Sequence, residues 1–429
     1  MKSNNNTNKA ILLWYTCIML MAPMLSYGQA STLTLAECYD LAEKNYPLTK
    51  QRELLAKTEE YTVENAAKGY LPQVSVNGQA TYQSEVTQIP ISAPGADIPT
   101  LNKDQYKIYA EVYQPLTDLK TVSLNKKSEE VKSAMDAQNL EVELYKLKER
   151  VNQLYFGILL IDEQISQTGI LRSDIRSALD RTNSGIKNGM SLKSSGSELK
   201  AELLEVDQKI IELLANKKGY ADMLALFIAM PLDSTVHLVK PQPLNNSFEI
   251  QRPELAVYKT QQESLLIQND LISANNLPKF GLFFQGGFGS PSPVNMLSPD
   301  FSSYYLGGLK LTWNLTNFYT SSNKRQLLTI QSEVTDTQKH AFLFNTQLNL
   351  QQKDAEIEKL ENFIASDDTI IELRQEVAHT AEVQLQNGAI TVTDFLQQAN
   401  AADKARQNKV LHEIQLLQAQ YDFKTTSGN

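Results

Sequence analysis

Residues 140–165 read LEVELYKLKERVNQLYFGILLIDEQI, and the spacing within them decides what kind of chain this is. Leu140, Leu144, Leu147, Val151, Leu154, Ile158, Ile161 and Ile165 alternate steps of four and three, the seam of a coiled-coil contact. Tyr155, Phe156, Leu159 and Leu160 broaden the apolar surface beside that seam. Such a helix needs a neighbour on each side, as in a ring of helices rather than a pair. Outward from this stretch the helical pattern runs from Leu119 to Lys187, about 69 residues and roughly 100 Å at 1.5 Å per residue. No globular core needs a rod that long. Alone it would also fit a long dimeric coiled coil, and the flanking sequence chooses between the two.

Before this rod the period changes to two. In strand 73–83, Val74, Val76, Gly78, Ala80 and Tyr82 point one way while Gln73, Ser75, Asn77, Gln79, Thr81 and Gln83 point the other. Leu71-Pro72 stops the helix before it, which starts at Pro47. A loop punctuated by Pro90, Pro94, Gly95 and Pro99 follows. In strand 105–114, Tyr106, Ile108, Ala110 and Val112 then alternate with Lys107, Tyr109, Glu111 and Tyr113 until Pro115.

The second half repeats the order. Pro253 opens a helix, Leu277-Pro278 closes it, and strands over 279–288 and 304–315 flank a loop rich in Pro and Ser. A long helix over 318–387 follows, with Leu343, Leu350, Ile357, Ile364, Ile371, Ala378 and Leu385 at seven-residue steps. The pairs Pro47/Pro253 and Pro72/Pro278 share one offset, and the offset changes only inside the strand-to-strand loop, where a duplicated scaffold tolerates drift. The chain therefore divides into a leader over 1–30, a first repeat over 31–229, a linking segment over 230–252, a second repeat over 253–424 and a tail over 425–429. Helices over 191–229 and 391–424 complete the repeats. In each repeat they stack with the helix opened by Pro47 or Pro253 into a composite column about as tall as the unbroken rod. Thr34 and Glu37 form a capping box for a short helix ending near Asn45, which joins the linking segment in a belt outside the columns.

The solvent each strand faces follows from its charges. Lys107, Glu111, Lys279 and Lys310 all occupy the polar parity. A Lys turned to lipid near the midplane of a barrel costs roughly 2–4 kcal/mol, and none is placed there. Tyr82, Tyr106, Tyr305 and Trp313 lie on the lipid parity, and Lys107, Glu111 and Lys310 on the lumen side. An ordinary soluble sheet with one buried face is the bland alternative. Export favours the barrel: Lys2 and Lys9 precede an apolar run from Ala10 to Leu25, with Gly28 and Ala30 as cleavage sites. Cys17 lacks the small neighbours of a lipoprotein site, so no lipid anchor is expected. The mature chain keeps only Cys38 and forms no internal disulfide. Four strands cannot close a barrel, and an open sheet edge is not tolerated in lipid. Three chains, giving twelve strands, begin to leave a lumen.

In this order the motifs resemble the TolC-like outer-membrane efflux family. They are Leu33-Thr34-Leu35-Ala36-Glu37, Gly69-Tyr70-Leu71-Pro72, Gln114-Pro115-Leu116, Arg252-Pro253-Glu254-Leu255 and Gly388-Ala389-Ile390-Thr391 with Asp394. The resemblance implies a mainly α, internally duplicated fold with transmembrane β-strands: a homotrimeric twelve-stranded outer-membrane barrel on a periplasmic coiled-coil barrel of long α-helices. It also implies a tip that opens against a periplasmic adaptor and an inner-membrane pump, of efflux or type I secretion type. In that family an acidic residue six positions after the tip glycine helps form a constricting ring, and Asp394 holds that position after Gly388. Thr391-x-x-Asp394 is equally a good helix start. The first tip, at Gly189, has Ser195 where the family often has Asp, and Gln397 replaces a second acidic residue, so a double acidic ring is not expected.

Other chemistry is absent from the sequence. A net charge of -9 leaves no basic patch for nucleic acid. His237, His340, His379 and His412 are scattered without ligand spacing, and Met190 near the first tip is a lone methionine, so neither metal site nor cofactor is expected. No nucleophile elbow or phosphate loop appears, and no enzyme is read. A periplasmic adaptor or a coiled-coil structural protein remains as the alternative to a passive exit channel.

Overall fold

The computed structural model describes residues 32–86, 101–232 and 237–429; the leader, the middle of the first strand-to-strand loop and residues 233–236 lie outside them. The elements in chain order are β1 (Thr32–Leu33), α1 (Leu35–Asn45), α2 (Lys50–Ala67), β2 (Gln73–Tyr82), β3 (Asp104–Pro115), α3 (Leu119–Tyr145), α4 (Leu147–Lys187) and α5 (Lys193–Ile228). They continue with β4 (His237–Leu238), α6 (Glu254–Asn275), β5 (Lys279–Ser290), β6 (Ser302–Thr312), α7 (Asn317–Gln386) and α8 (Val392–Ser427). The chain is thus mostly helical with a few strands, and among the described residues no helix is long and apolar enough to cross a membrane.

The quoted seam packs within one chain. Val151, Tyr155, Phe156 and Ile158 of α4 are buried against Cys38 and Ala42 of α1, Leu224 and Ile228 of α5, and Ile414 and Leu417 of α8. It is the largest buried apolar cluster among the described residues, at about 1.5–3 kcal/mol per fully buried large side chain. A two-stranded coiled coil offers one partner helix, whereas α4 has three.

Three expected boundaries are corrected. The first rod is not perfectly regular: its helical hydrogen bonding is interrupted at Lys146, between α3 and α4, while the backbone there stays in the helical region with φ of −62° and ψ of −18°. The interruption falls where Leu140, Leu144 and Leu147 pack on Tyr46, Leu55 and Phe227, at the join between α2 and α5. Strand β6 ends at Thr312, opposite Lys279, the first residue of β5, so residues 313–315 have no partner strand. Trp313 instead donates its Nε1–H to the Asn276 carbonyl at 3.0 Å. The last helix continues through residues 425–427 and stops at Gly428, whose φ of 92° ends the helical run.

Each lower helix meets an upper one end to end. Asn45 Nδ2 donates to the Ile228 carbonyl at 2.9 Å, and Tyr46 stacks on Phe227 with ring centroids 6.4 Å apart. In the second copy, Arg252 donates to the Thr425 carbonyl at 3.3 Å and the Gln251 amide to the Ser427 carbonyl at 2.7 Å. A cation at a helix C-terminus also favours the dipole. The linking segment is tied in by β1 and β4, which pair in parallel. The Tyr155 hydroxyl stands 2.8 Å from the Leu33 carbonyl and 2.6 Å from that of Val239, one proton serving both strands.

Two outcomes follow. Tyr155→Phe removes that link and lowers stability by about 1 kcal/mol, read as a lower denaturant midpoint of the detergent-solubilised protein. Burial pushes the Cys38 thiol up to about 12, so a thiol reagent at pH 8 leaves the folded protein unlabelled and reacts only after denaturant is added.

Candidate functional site

Strands β2, β3, β5 and β6 form one antiparallel sheet in that order, so the two hairpins lie side by side through β3 and β5. Residues paired across strands share a face. One row runs Ser75, Glu111, Gln285, Leu306, and another Gln79, Lys107, Gly289, Ser302. The opposite face carries the rows Val74, Val112, Phe284, Gly307 and Gly78, Ile108, Phe288, Ser303. Along β3 the polar-row residues are half-buried while the alternating apolar ones are exposed. A curled sheet crowds side chains on its concave side and splays them on its convex side. The polar face is therefore the concave one.

Lys107, Glu111 and Lys310, singled out in the sequence, come together on that concave face. Gln285 donates its Nε2–H to Glu111, and Lys310 Nζ lies 4.0 Å from Glu111 Oε1. Lys107 Nζ sits 4.3 Å from the Tyr109 ring centroid and 5.7 Å from that of Tyr304. The convex face presents Tyr82, Tyr106 and Tyr305, with Tyr305 stacked on Phe284 at 6.4 Å. Trp313, past the end of β6, stands edge-on to Phe318 at 6.3 Å, at the helix end of the sheet. Aromatic side chains thus mark both ends of the convex apolar band.

At the other end of the molecule the tips are two copies of one turn. Gly189 and Gly388 have φ of 74° and 71°, and the amide after each bonds back to the helix, Met190 to the Gly185 carbonyl at 2.8 Å and Ala389 to that of Gln384 at 2.9 Å. Both are Schellman stops, for which the left-handed residue is glycine. The helices that follow start differently. Asp394 closes a capping box with Thr391, its carboxylate accepting the Thr391 amide at 3.0 Å while its own amide donates to Thr391 Oγ1 at 3.2 Å. The Thr391 hydroxyl, donating to the same carboxylate at 2.6 Å, and after it the Thr391 amide hold the Asp394 carboxyl below the usual carboxylate range. Ser195 occupies the same third position of α5, half-buried, and the N-cap there is Leu192 with no side-chain bond. Gln397 lies exposed one turn beyond Asp394.

The structure adds links between helices that sequence spacing does not show. Thr393 Oγ1 donates to Glu198 at 2.7 Å and Asn400 Nδ2 to Glu202 at 2.9 Å, tying α8 to α5, while Arg181 pairs with Glu382 between α4 and α7. Arg406 lies 3.8 Å from Asp403 and 4.0 Å from Asp174. Burial raises both carboxyls and the Arg406 charge opposes the shift. Apart from Asp403 and Arg406, which are neighbours on one helix, these partners lie roughly two hundred residues apart in the chain, so only the helix alignment reveals them. Among the described residues no cluster of metal-ligating side chains occurs.

In comparisons with known proteins, no family description and no curated protein matches this chain by sequence. Solved structures do. The outer-membrane protein VceC of Vibrio cholerae superposes with a TM-score of 0.66 at 11% identity over 92% of this chain and 96% of its own. The CmeC outer-membrane channel of Campylobacter jejuni gives 0.65 at 12% identity over 92% and 85%. The MtrE outer-membrane channel of Neisseria gonorrhoeae, solved in its open state, gives 0.65 at 12% identity over 92% and 89%. The fold is that of outer-membrane channels of the TolC type, and these structural neighbours are channels, not enzymes.

The capping box has a pH signature. A carboxylate held below its ordinary value stabilises the helix start above about pH 4 and loses that contribution as pH falls through the depressed value. Amide protection at the start of α8, relative to the intrinsic exchange rate at each pH, is expected to fall on acidification, and Thr391→Ala to abolish that dependence.

Proposed function

We propose that this chain is one protomer of a homotrimeric exit duct that passively conducts substrate across the periplasm and outer membrane. The observation that carries this reading is that every layer of the chain is left open on the same two sides. In the sheet, β2 and β6 are the outer strands. In the upper helical layer the order of packing is α2, α3, α6, α7, and in the lower layer α5, α4, α8, α7. One side of the protomer is therefore β2, α2 and α5, and the other is β6 and α7.

These sides are complementary. Strand directions alternate from β2 to β6, so β6 of one copy beside β2 of the next continues the antiparallel order. Three copies supply twelve strands, with the polar concave face around a lumen and the apolar convex face in lipid. On α7, the exposed Ile330, Val334, Leu348, Ile370, Leu373 and Val377 lie away from Leu350 and Ile357, which pack toward α8. On the opposite side, α2 exposes Leu54 and Tyr61, and α5 exposes Leu204, Ile211 and Leu214. Exposed apolar stripes at helical spacing on both sides of one protomer fit neighbouring copies.

The remaining parts follow from this reading. Residues 1–30 are a leader removed on export. The tips at Gly189 and Gly388 face a periplasmic adaptor and an inner-membrane transporter of efflux or type I secretion class. Asp394, three copies around one axis, forms a cation-attracting constriction, with Gln397 and Ser195 as its uncharged surroundings. No catalytic step is assigned. The two side-by-side hairpins favour the duct over the adaptor alternative, since one chain of an adaptor has no use for two open sheet edges with a shared apolar face.

The protein is expected in outer-membrane fractions as a heat-modifiable trimer that conducts in planar bilayers, with Asp394→Asn weakening its preference for cations. A water-soluble monomer whose strands are protected from membrane-restricted probes sinks the proposal.

A further inference from the structure

The loop between β5 and β6 is unlike a loop that faces water. Between Gly289 and Ser302 its only ionisable side chain is Asp300, held within the loop by a 3.3 Å hydrogen bond from Ser298 Oγ. Val294, Met296, Leu297 and Phe301 are 63%, 66%, 55% and 60% exposed. The loop is nonetheless folded. Ser290 Oγ donates to the Pro299 carbonyl at 2.8 Å, the Asn295 amide donates to the Ser292 carbonyl at 3.1 Å, and Ser292 itself is 2% exposed. Pro291, Pro293 and Pro299 restrict the backbone further. An ordered loop that holds four large apolar side chains outward needs something apolar to cover them.

Its position selects the cover. Phe301 stacks on Phe288 with centroids 6.0 Å apart and planes 3° from parallel. Phe288 pairs with Ile108, so both belong to the convex row and not to the row of Lys107. The apolar band of the sheet therefore continues onto the loop without a break, at the end of the sheet away from the helices, where Tyr82 and Tyr106 also lie on the convex face. We infer that this loop is a lipid anchor, with Val294, Met296, Leu297 and Phe301 seated at the acyl-chain boundary of the leaflet at the loop end of the barrel. The inference rests on the outer-membrane reading and deepens it. Apolar side chains on a preordered segment reach the headgroup and acyl boundary at little ordering cost, and interfacial segments bury to roughly 5–10 Å.

Single cysteines at Met296 and Val294, and at Leu309 on the convex face of β6 as a reference, are labelled with an environment-sensitive fluorophore in the chain freed of its leader and so lacking Cys17. The unsubstituted chain, with its buried Cys38, is the labelling blank. The proteins are reconstituted in phosphatidylethanolamine and phosphatidylglycerol vesicles carrying an acyl-chain nitroxide, with iodide as the aqueous quencher. The inference expects Met296→Cys and Val294→Cys to be quenched by the nitroxide as Leu309→Cys is, and to be shielded from iodide. Nitroxide quenching at Leu309→Cys alone overturns the lipid anchor and leaves the barrel standing, with the loop in water or against another protein surface. Iodide quenching at all three positions overturns the membrane reading itself.

Discussion

The outer backbone edges of β2 and β6 pair with no strand of this chain, and in the proposed membrane setting lipid offers them no hydrogen-bond partner, at a cost of several kcal/mol for each unsatisfied amide or carbonyl. On the proposed reading that penalty makes one chain insufficient. The same two edges continue downward as the free sides of α2, α5 and α7, so a copy that satisfies the sheet also covers the apolar stripes of the helices. Assembly is thus posed as a single geometric problem over the whole height of the protomer. In the proposed trimer the apolar convex face and the polar concave face sort lipid from water without further chemistry.

Strength is unevenly distributed along that height. The middle is held by the cluster around Tyr155 and Phe156, by the Tyr155 hydroxyl between β1 and β4, and by the Asn45 and Arg252 contacts that close the ends of α5 and α8. Toward the tips a second apolar cluster, with Ile175, Leu199, Phe395 and Leu396, holds the helices, and exposed polar links such as Arg181 with Glu382 and Thr393 with Glu198 lie around it. Exposed ion pairs are worth about 0–1 kcal/mol each. The difference between the two tips adds to the unevenness. The capping box at Asp394 makes the start of α8 the better-defined one, and α5 begins at Leu192 without such help.

Much of this was legible in the residues because the signals are periodic. The alternation of Lys107 and Glu111 with Ile108 and Val112 is enough to assign faces, and the register places Lys310 on the same side as both. The step-of-seven stripe on α7 marks the side that packs toward α8. Boundaries were less legible. Lys146 sits in a strongly helical stretch and nothing local announces an interruption, which arises at the join of two other helices. Trp313 continues the alternation of β6 on paper, yet β5 has already begun at Lys279 and offers it no partner.

What the sequence determined by itself was the set of elements, their duplication, the polarity of each strand face and the cap at Thr391, because these depend on neighbours within a few residues. What only the tertiary structure decided was which strands and helices lie side by side, and hence which edges stay open. It also decided that Arg406 meets Asp174, that Tyr155 joins β1 to β4, and that Phe301 lies on Phe288. Those contacts join residues far apart in the chain or across a loop without periodicity. Their energies depend on how packed helices and strands align in space, which no local pattern records.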